Sequence, residues 1–435
     1  MFRKQYIIAA LFTVASVFSG CTNLDEDVFS SIPENDFYKT ESEFLAAMVP
    51  VYSSMRAMTD WQNWWDLEET TDVCVTPVKN HGLWYDGGIY IRLHQHSWTE
   101  EDPHLNAIWN VLYAGVSSAN RVLYQFENSS IEIPAKKNYI SELKVARAFY
   151  YYLLLEAFGN VPIIDRFDVP DGYLPATESR AKVFQFVETE LKDNIDNLSE
   201  DRLNTYGRFN KWNAKMLLAR MYLNAGVYTG TPMWNECLEQ CNDIINSGLF
   251  SLETNYTDIF KTENSGCVET IFAIPFDEVY NEGDNNGPVF GAHMKFLSSN
   301  SRKVFNMQTT PWGGSAANPQ FINSYDPDDM RLKYTWLQGD QYSPDGVLIT
   351  TFPNKLPSIY KTDTDDGYRV GKYEIKVGAK SLLSNDFPYF RYTEVLLCDL
   401  EAKLEGGETI TWVPRSWPSP RWSVAVPKTS MWSTP

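Results

Sequence analysis

Trp61, Trp64, Trp65, Trp84, Tyr85, Tyr90 and Trp98 crowd one irregular stretch of the chain, interleaved with Asn63, Asp72, His81, Asp86 and Arg92. Flat aromatic faces complement the C–H face of a sugar ring, and amide, carboxylate, imidazole and guanidinium groups beside them can fix hydroxyls by hydrogen bonds. Packing within the loop is the ordinary role of any single one of these rings. Trp84-Tyr85 beside Gly87-Gly88, and Trp98 beside Thr99 and Glu100, have polar surroundings and are the rings expected at the surface. Trp312, between Pro311 and Gly313-Gly314, is the matching candidate from a second irregular region. The candidate binding set is therefore Trp84, Tyr85, Trp98, His81, Asp72, Asn63 and Trp312. A few stacked rings contributing about 4 kcal/mol net correspond to a Kd of about 1 mM, which suits a protein that captures a ligand and hands it on.

Catalytic and metal chemistry find less support. No His-Glu-x-x-His, Gly-x-Ser-x-Gly, P-loop or Gly-x-Gly-x-x-Gly pattern occurs, so no cofactor and no catalytic residue is assigned. Glu68, Glu69 and Asp72 form a carboxylate group of the kind glycosidases use, but spacing along the chain does not set the separation that chemistry needs. They are expected to be solvated loop acids. His94-x-His96 supplies two metal ligands without a third, and surface or packing roles are expected for both. Asp363, Asp365 and Glu374 imitate a calcium loop, yet Tyr368 stands where its sharp-turn glycine belongs. Cysteines 74, 237, 241, 267 and 398 contain no Cys-x-x-Cys pair and are expected to be buried free thiols.

Helices must position these loops. Thr40-x-x-Glu43 is a capping box opening a helix whose apolar face holds Phe44, Met48, Tyr52 and Met55, with Pro50 as a kink. From 105 to 126 the apolar residues keep the i, i+3, i+4 rhythm. An aromatic helix follows through Ala146-Arg147-Ala148-Phe149-Tyr150 to Phe158, stopped by Gly159 and Pro162. Val183 to Leu198 marks another helix, and Trp212 to Leu223 with Trp234 to Ile245 reads as a helix pair. Such pairs stack by the logic of tetratricopeptide repeats, though the repeat signature itself is absent. The stretches 61 to 104 and 249 to 388 are rich in Gly, Pro, Asn and Asp, with short strand-like runs such as Thr270 to Ile274. The expected fold is mainly α, with tetratricopeptide-like helix pairs and an irregular, loop-rich ligand-binding subdomain.

Residues 1–20 read as a targeting segment. Arg3 and Lys4 precede an apolar stretch of 12 residues from Ile7 to Phe18, too short to span a bilayer. Ser19-Gly20-Cys21 then resembles a lipobox with Phe18 in place of the usual leucine, making Cys21 the expected acylated first residue of a lipoprotein. The net charge of −19, with no basic run beyond the extreme N-terminus, argues against nucleic acid or an anionic membrane surface as the main partner.

Several segments together resemble the SusD/RagB family of outer-membrane nutrient-binding lipoproteins. They are Trp109-Asn110-x-x-Tyr113 running into Ala119-Asn120, the Ala146 to Pro162 stretch, Gly207-Arg208 into Lys211-Trp212, and Ile271-Phe272-Ala273-Ile274-Pro275. Pro311-Trp312-x-Gly314, Asp328-Asp329-x-Arg331 and Phe390-Arg391-Tyr392-x-Glu394-Val395-Leu396-Leu397 continue the series in family order. The resemblance implies four tetratricopeptide-like units and no catalytic activity. It also implies a lipid-anchored position on the cell surface and partnership with a SusC-like TonB-dependent transporter, to which the protein delivers oligosaccharide. Peptides are the alternative ligand, and a surface glycoside hydrolase is a third reading.

The resemblance ends near residue 405, giving a binding domain from 21 to about 410. Residues 411–435 contain four Trp and five Pro but no Asp or Glu, in a chain with 56 acidic residues. This tail reads as frameshifted or truncated sequence; resequencing the coding DNA and finding one native frame would remove that expectation. It would leave the last helix with apolar surface uncovered.

Overall fold

The computed structural model describes residues 39–59, 64–280 and 291–407. Cys21, Trp61, Asn63 and the tail 411–435 lie outside the described residues, as do the side chains of Trp64 and Trp65.

Helix α1 (Glu41–Met58) opens on the expected capping box: Glu43 N donates to Thr40 Oγ1 at 3.3 Å and Thr40 N to Glu43 Oε2 at 2.7 Å. Pro50 lies inside it, and the Ser53 and Ser54 hydroxyls donate to the Pro50 carbonyl. A six-residue helix α2 (Ile89–His94) emerges within the aromatic loop, and α3 (Pro103–Asn128) begins with proline in its first turn, where the missing N–H costs nothing. Helix α4 (Lys136–Phe158) ends at Gly159, whose φ of 71° no β-carbon-bearing residue adopts freely. Helices α5 (Arg180–Asn194), α6 (Lys211–Leu223) and α7 (Trp234–Ser247) follow, and α6 is capped reciprocally by Asn210 and Asn213.

The helices pack in series, α1 on α3, α3 on α4, α4 on α5, and α6 on α7. Helix α4 is central, with Phe149, Tyr150, Tyr151, Leu153 and Leu154 fully buried. A helix apolar on all sides carries no amphipathic stripe, and its few buried polar groups must be paired. Arg147 accordingly donates to Asn120 Oδ1 at 2.7 Å and, through Nη2, to Glu190 Oε2 at 2.7 Å, joining α3, α4 and α5. Gly115 on α3 lets Tyr150 approach, since a Cβ at that position would lie 2.3 Å from the tyrosine ring. Gly115→Ala is expected to destabilise the fold by about 1–3 kcal/mol through overpacking, measured as a lower urea midpoint at unchanged slope.

Strand β1 (Cys74–Val75) pairs antiparallel with β3 (Ala316–Ala317), and β2 (Thr270–Ile274) with β6 (Phe387–Arg391), where Ile274 faces Phe387. A surface hairpin joins β4 (Gly339–Tyr342) to β5 (Leu348–Phe352). The Gly207-Arg208 segment beside β2 has a steric cause: a Cβ on Gly207 would sit 2.5 Å from Pro275, and Arg208 pairs with buried Glu142. Helix α8 (Ala292–Phe296) precedes the Trp312 loop, and α9 (Tyr392–Glu405) closes on α7, tied to α6 by the Arg220–Glu394 ion pair. All five cysteines among the described residues are buried and free.

An aromatic hollow above a buried ion cluster

The loop from Lys79 to Gly88 is bent by an unusual run of left-handed backbone. His81, Trp84 and Asp86 have φ of 64°, 63° and 41°, and Gly82, Gly87 and Gly88 are also positive. A bulky residue such as Trp84 at positive φ costs roughly 1–3 kcal/mol and persists only where its surroundings hold it. The restraints are visible on both sides. Lys79 N donates to Leu83 O at 2.8 Å and Asn80 N to Thr362 O at 3.1 Å, while Arg92 Nη1 donates to Gly87 O at 2.8 Å. Arg92 is itself fixed by Asp102, whose carboxylate accepts from Nε at 3.0 and 3.2 Å.

Trp84 is the residue these restraints place. Its indole N–H donates to the Trp312 carbonyl at 3.1 Å, and its ring packs on Gly314 and meets Tyr90 edge-on at 5.6 Å. The Trp312 loop is held in turn by Trp312 N donating to Met294 O at 2.7 Å and Gly314 N to Lys295 O at 2.7 Å. Beside the two tryptophans opens a hollow of about 630 Å³ lined by Leu83, Trp84, Asp86, Ile89, Tyr90, Pro103, His104, Ala107 and Trp312. Gly314→Ala would bring a Cβ within 2.9 Å of the Trp84 ring. We expect that substitution to tilt the indole, changing the near-UV circular dichroism while the far-UV spectrum stays as it is.

A charged cluster lies beneath the aromatic wall. The Lys295 ammonium, fully buried, pairs with Asp66 and with Glu69 Oε1 at 2.8 Å and sits 4.6 Å from the centre of the Tyr90 ring. Asp66 also binds His104 Nδ1, and Glu69 accepts from the hydroxyls of Thr76 and, at 2.7 Å, Ser315. Burial pulls the Lys295 pKa down, but the two carboxylates outweigh it and hold the amine above its ordinary value. Burial raises the Tyr90 hydroxyl far above the ordinary phenol range, with Asp66 and Glu69 adding to the effect. Glu69 was expected in solvent and is fully buried; its counter-charge comes from a lysine remote in sequence, which local composition cannot reveal.

Of the candidate binding residues, the structure brings Trp84 and Trp312 together in the hollow. Trp312 is 46% exposed, whereas Trp84 is only partly exposed, because its face rests on Gly314 despite polar sequence neighbours. Tyr85 is 54% exposed and leans on Gly88 just outside the hollow. Trp98 is 41% exposed and pairs with His96 beyond the C-terminal end of α2, so it does not line the hollow. His81 and Asp72 are exposed and do not line it either. Sequence reasoning missed His104 and Lys295. The only local signal was a lysine inside the apolar run Met294-Lys295-Phe296-Leu297 and a histidine directly after the proline that starts α3.

Residues 29–223 match the model of a SusD-like family described as starch-binding and associating with the outer membrane. A SusD-like protein of Bacteroides ovatus is 27% identical over 294 residues, covering 64% of this chain and 51% of that protein. The starch-binding protein SusD of Bacteroides thetaiotaomicron is 26% identical over 231 residues, covering 53% of this chain and 36% of its own length. Among solved structures, a laminarin-binding SusD-like protein superposes with a TM-score of 0.68 at 20% identity, covering 86% of this chain and 82% of that one, a likeness of fold. This chain spans about half or less of the length of these two curated relatives, 51% and 36%.

Proposed function

Because this chain belongs to the SusD-like family, we propose that it is a surface glycan-binding protein that captures oligosaccharide in the Trp84–Trp312 hollow without cleaving it. The observation that carries this reading is the pair of tryptophans, held by restrained backbone on the wall of one cavity with room for a sugar ring. Stacking on such faces needs no charge on the ligand, which agrees with a chain of net charge −19. The starch- and laminarin-binding relatives support the ligand class.

A binding role is further supported by the lining. Among the described residues Asp86 is the one carboxylate on the hollow, whereas glycoside hydrolysis ordinarily needs two facing each other across the bond. In this reading the protein is anchored to the outer membrane through an acylated Cys21 and passes its ligand to a SusC-like TonB-dependent transporter. No helix among the described residues is long and apolar enough to cross a membrane.

Calorimetry of the soluble chain beginning after Cys21, against neutral oligosaccharides and peptides, tests the proposal. We expect glycan binding with a Kd of about 1 mM, and a loss of at least tenfold in Trp84→Ala. Binding of peptides alone would favour peptide uptake on the same fold, and released sugar products would favour a hydrolase.

A further inference from the structure

Within the hollow one side chain differs from the rest. His104 lines the cavity, yet it is 7% exposed and its ring is fixed on two sides, by Asp66 at Nδ1 and by Tyr90, whose ring centre lies 5.4 Å away. Asp66 is itself pinned by the buried Lys295 ammonium, and that lysine by Glu69. A chain of buried ionic contacts therefore ends on an imidazole at the cavity wall. Nδ1 is turned to the Asp66 carboxylate, which leaves Nε2 as the ring nitrogen for a ligand.

We infer that His104, oriented by Asp66, is the group that fixes the ligand's hydroxyls in the hollow, and that the hollow is a subsite for an uncharged sugar ring. This inference rests on the reading of the hollow as a glycan site. A hydroxyl both donates and accepts, so it satisfies Nε2 in either protonation state of the imidazole. A carboxylate or sulfate meets the wrong field. Asp86 lies on the wall, Asp66 and Glu69 lie behind it, and Lys295 is the one permanent cation of the cluster. With His104 neutral these groups sum to two negative charges, and with it protonated to one. Tyr90, whose ring faces the same cluster, keeps its proton at neutral pH, since burial holds its hydroxyl far above the ordinary range. No Lys or Arg lines the hollow among the described residues, and Arg92, the nearest guanidinium in sequence, is engaged by Asp102. Uronic and sulfated sugars are thus disfavoured, although the rings alone would stack on them equally well.

Affinity electrophoresis separates the two levels of the argument. The soluble chain is run through gels containing neutral glucans, and through gels containing the same glucans after carboxymethylation, with Trp84→Ala, His104→Ala and His104→Gln alongside. We expect retardation by the neutral polymer, a retardation by its carboxymethyl form at least tenfold weaker, and loss of most of the neutral retardation in His104→Ala. His104→Gln, which keeps a hydrogen-bonding group at the wall, is expected to recover part of it. Thermal melting of each variant distinguishes lost recognition from lost fold, and the glutamine variant keeps the test valid should the alanine variant melt early. If Trp84→Ala is retarded like the parent, or no glucan retards the parent, the glycan reading of the hollow fails and this inference with it. If Trp84→Ala loses retardation while both His104 variants keep it, or the carboxymethyl polymer binds as well as the neutral one, the inference about His104 and charge fails alone.

Discussion

Lys295→Met is expected to lower the unfolding free energy by about 3–5 kcal/mol, because it leaves the buried carboxylates of Asp66 and Glu69 without the ammonium that offsets their desolvation. The methionine fills a similar volume, so the loss is electrostatic rather than a cavity effect. It also removes the cation from the face of Tyr90, where its centre-to-charge distance is 4.6 Å. Since the Lys295 pKa is raised above the unfolded value, its contribution is complete below the ordinary lysine range and fades only as pH rises through the folded pKa. The deficit should therefore be constant between about pH 6 and 9, where the amine stays charged in both folded and unfolded chains. Urea unfolding at several pH values measures it. Adding Asp66→Asn and Glu69→Gln to the same chain is expected to recover much of the loss, because it removes the uncompensated charge. An unchanged midpoint in Lys295→Met would mean that the cluster does not hold the hollow together.

Lys79→Met has the opposite expected sign, a gain of about 1–4 kcal/mol at neutral pH, the range seen when buried charges are replaced by apolar groups of similar volume. Lys79 is 3% exposed, and its amine has no hydrogen-bond partner. Burial lowers its pKa to about 6, helped by Arg369 and opposed by Asp366, Asp365 and Glu69. The unfolded chain therefore binds a proton here that the folded chain does not, between about pH 6 and the ordinary lysine value near 10.5. Across that window stability rises with pH, and the cost is greatest at and below its lower end. The advantage of Lys79→Met should accordingly be largest near pH 6 and shrink toward pH 10. Paired thermal melts of the two proteins across that range test it, and a gap that does not narrow would show that the amine is paired in solution. Lys79 sits at the base of the loop that carries Trp84, so the variant is also a means of stiffening that loop without touching the hollow.

These two lysines show why part of the site escaped a reading of the sequence. Both are buried, and nothing nearby in sequence says that one is paired and the other is not. Lys295 meets Asp66 from 229 positions away, and Trp84 meets Trp312 from 228. Trp84 and Trp312 could be chosen from their neighbours, glycine and proline, but Asp72 and His81 were chosen by the same proximity and face solvent elsewhere. Short left-handed turns between 81 and 88 decide which way each successive side chain points, and composition does not encode those angles at non-glycine positions.

The helices were legible because their determinants are local. The Thr40–Glu43 cap, the Gly159 stop and the period of three to four apolar residues from 105 to 126 act over one or two turns, within reach of the chain's own neighbours. The mainly helical, stacked-pair architecture follows from them. The hollow does not. Its wall joins the loop after Lys79, the first turns of α3 and the segment after α8, and its floor depends on whether a buried carboxylate finds a cation. That choice is made by packing between distant parts of the chain, where desolvation makes an unpaired charge costly and a paired one tolerable. The amino-acid sequence by itself thus determined the scaffold and the presence of exposed aromatic rings, and only the tertiary structure decided which of those rings share one hollow and which polar group lines it with them.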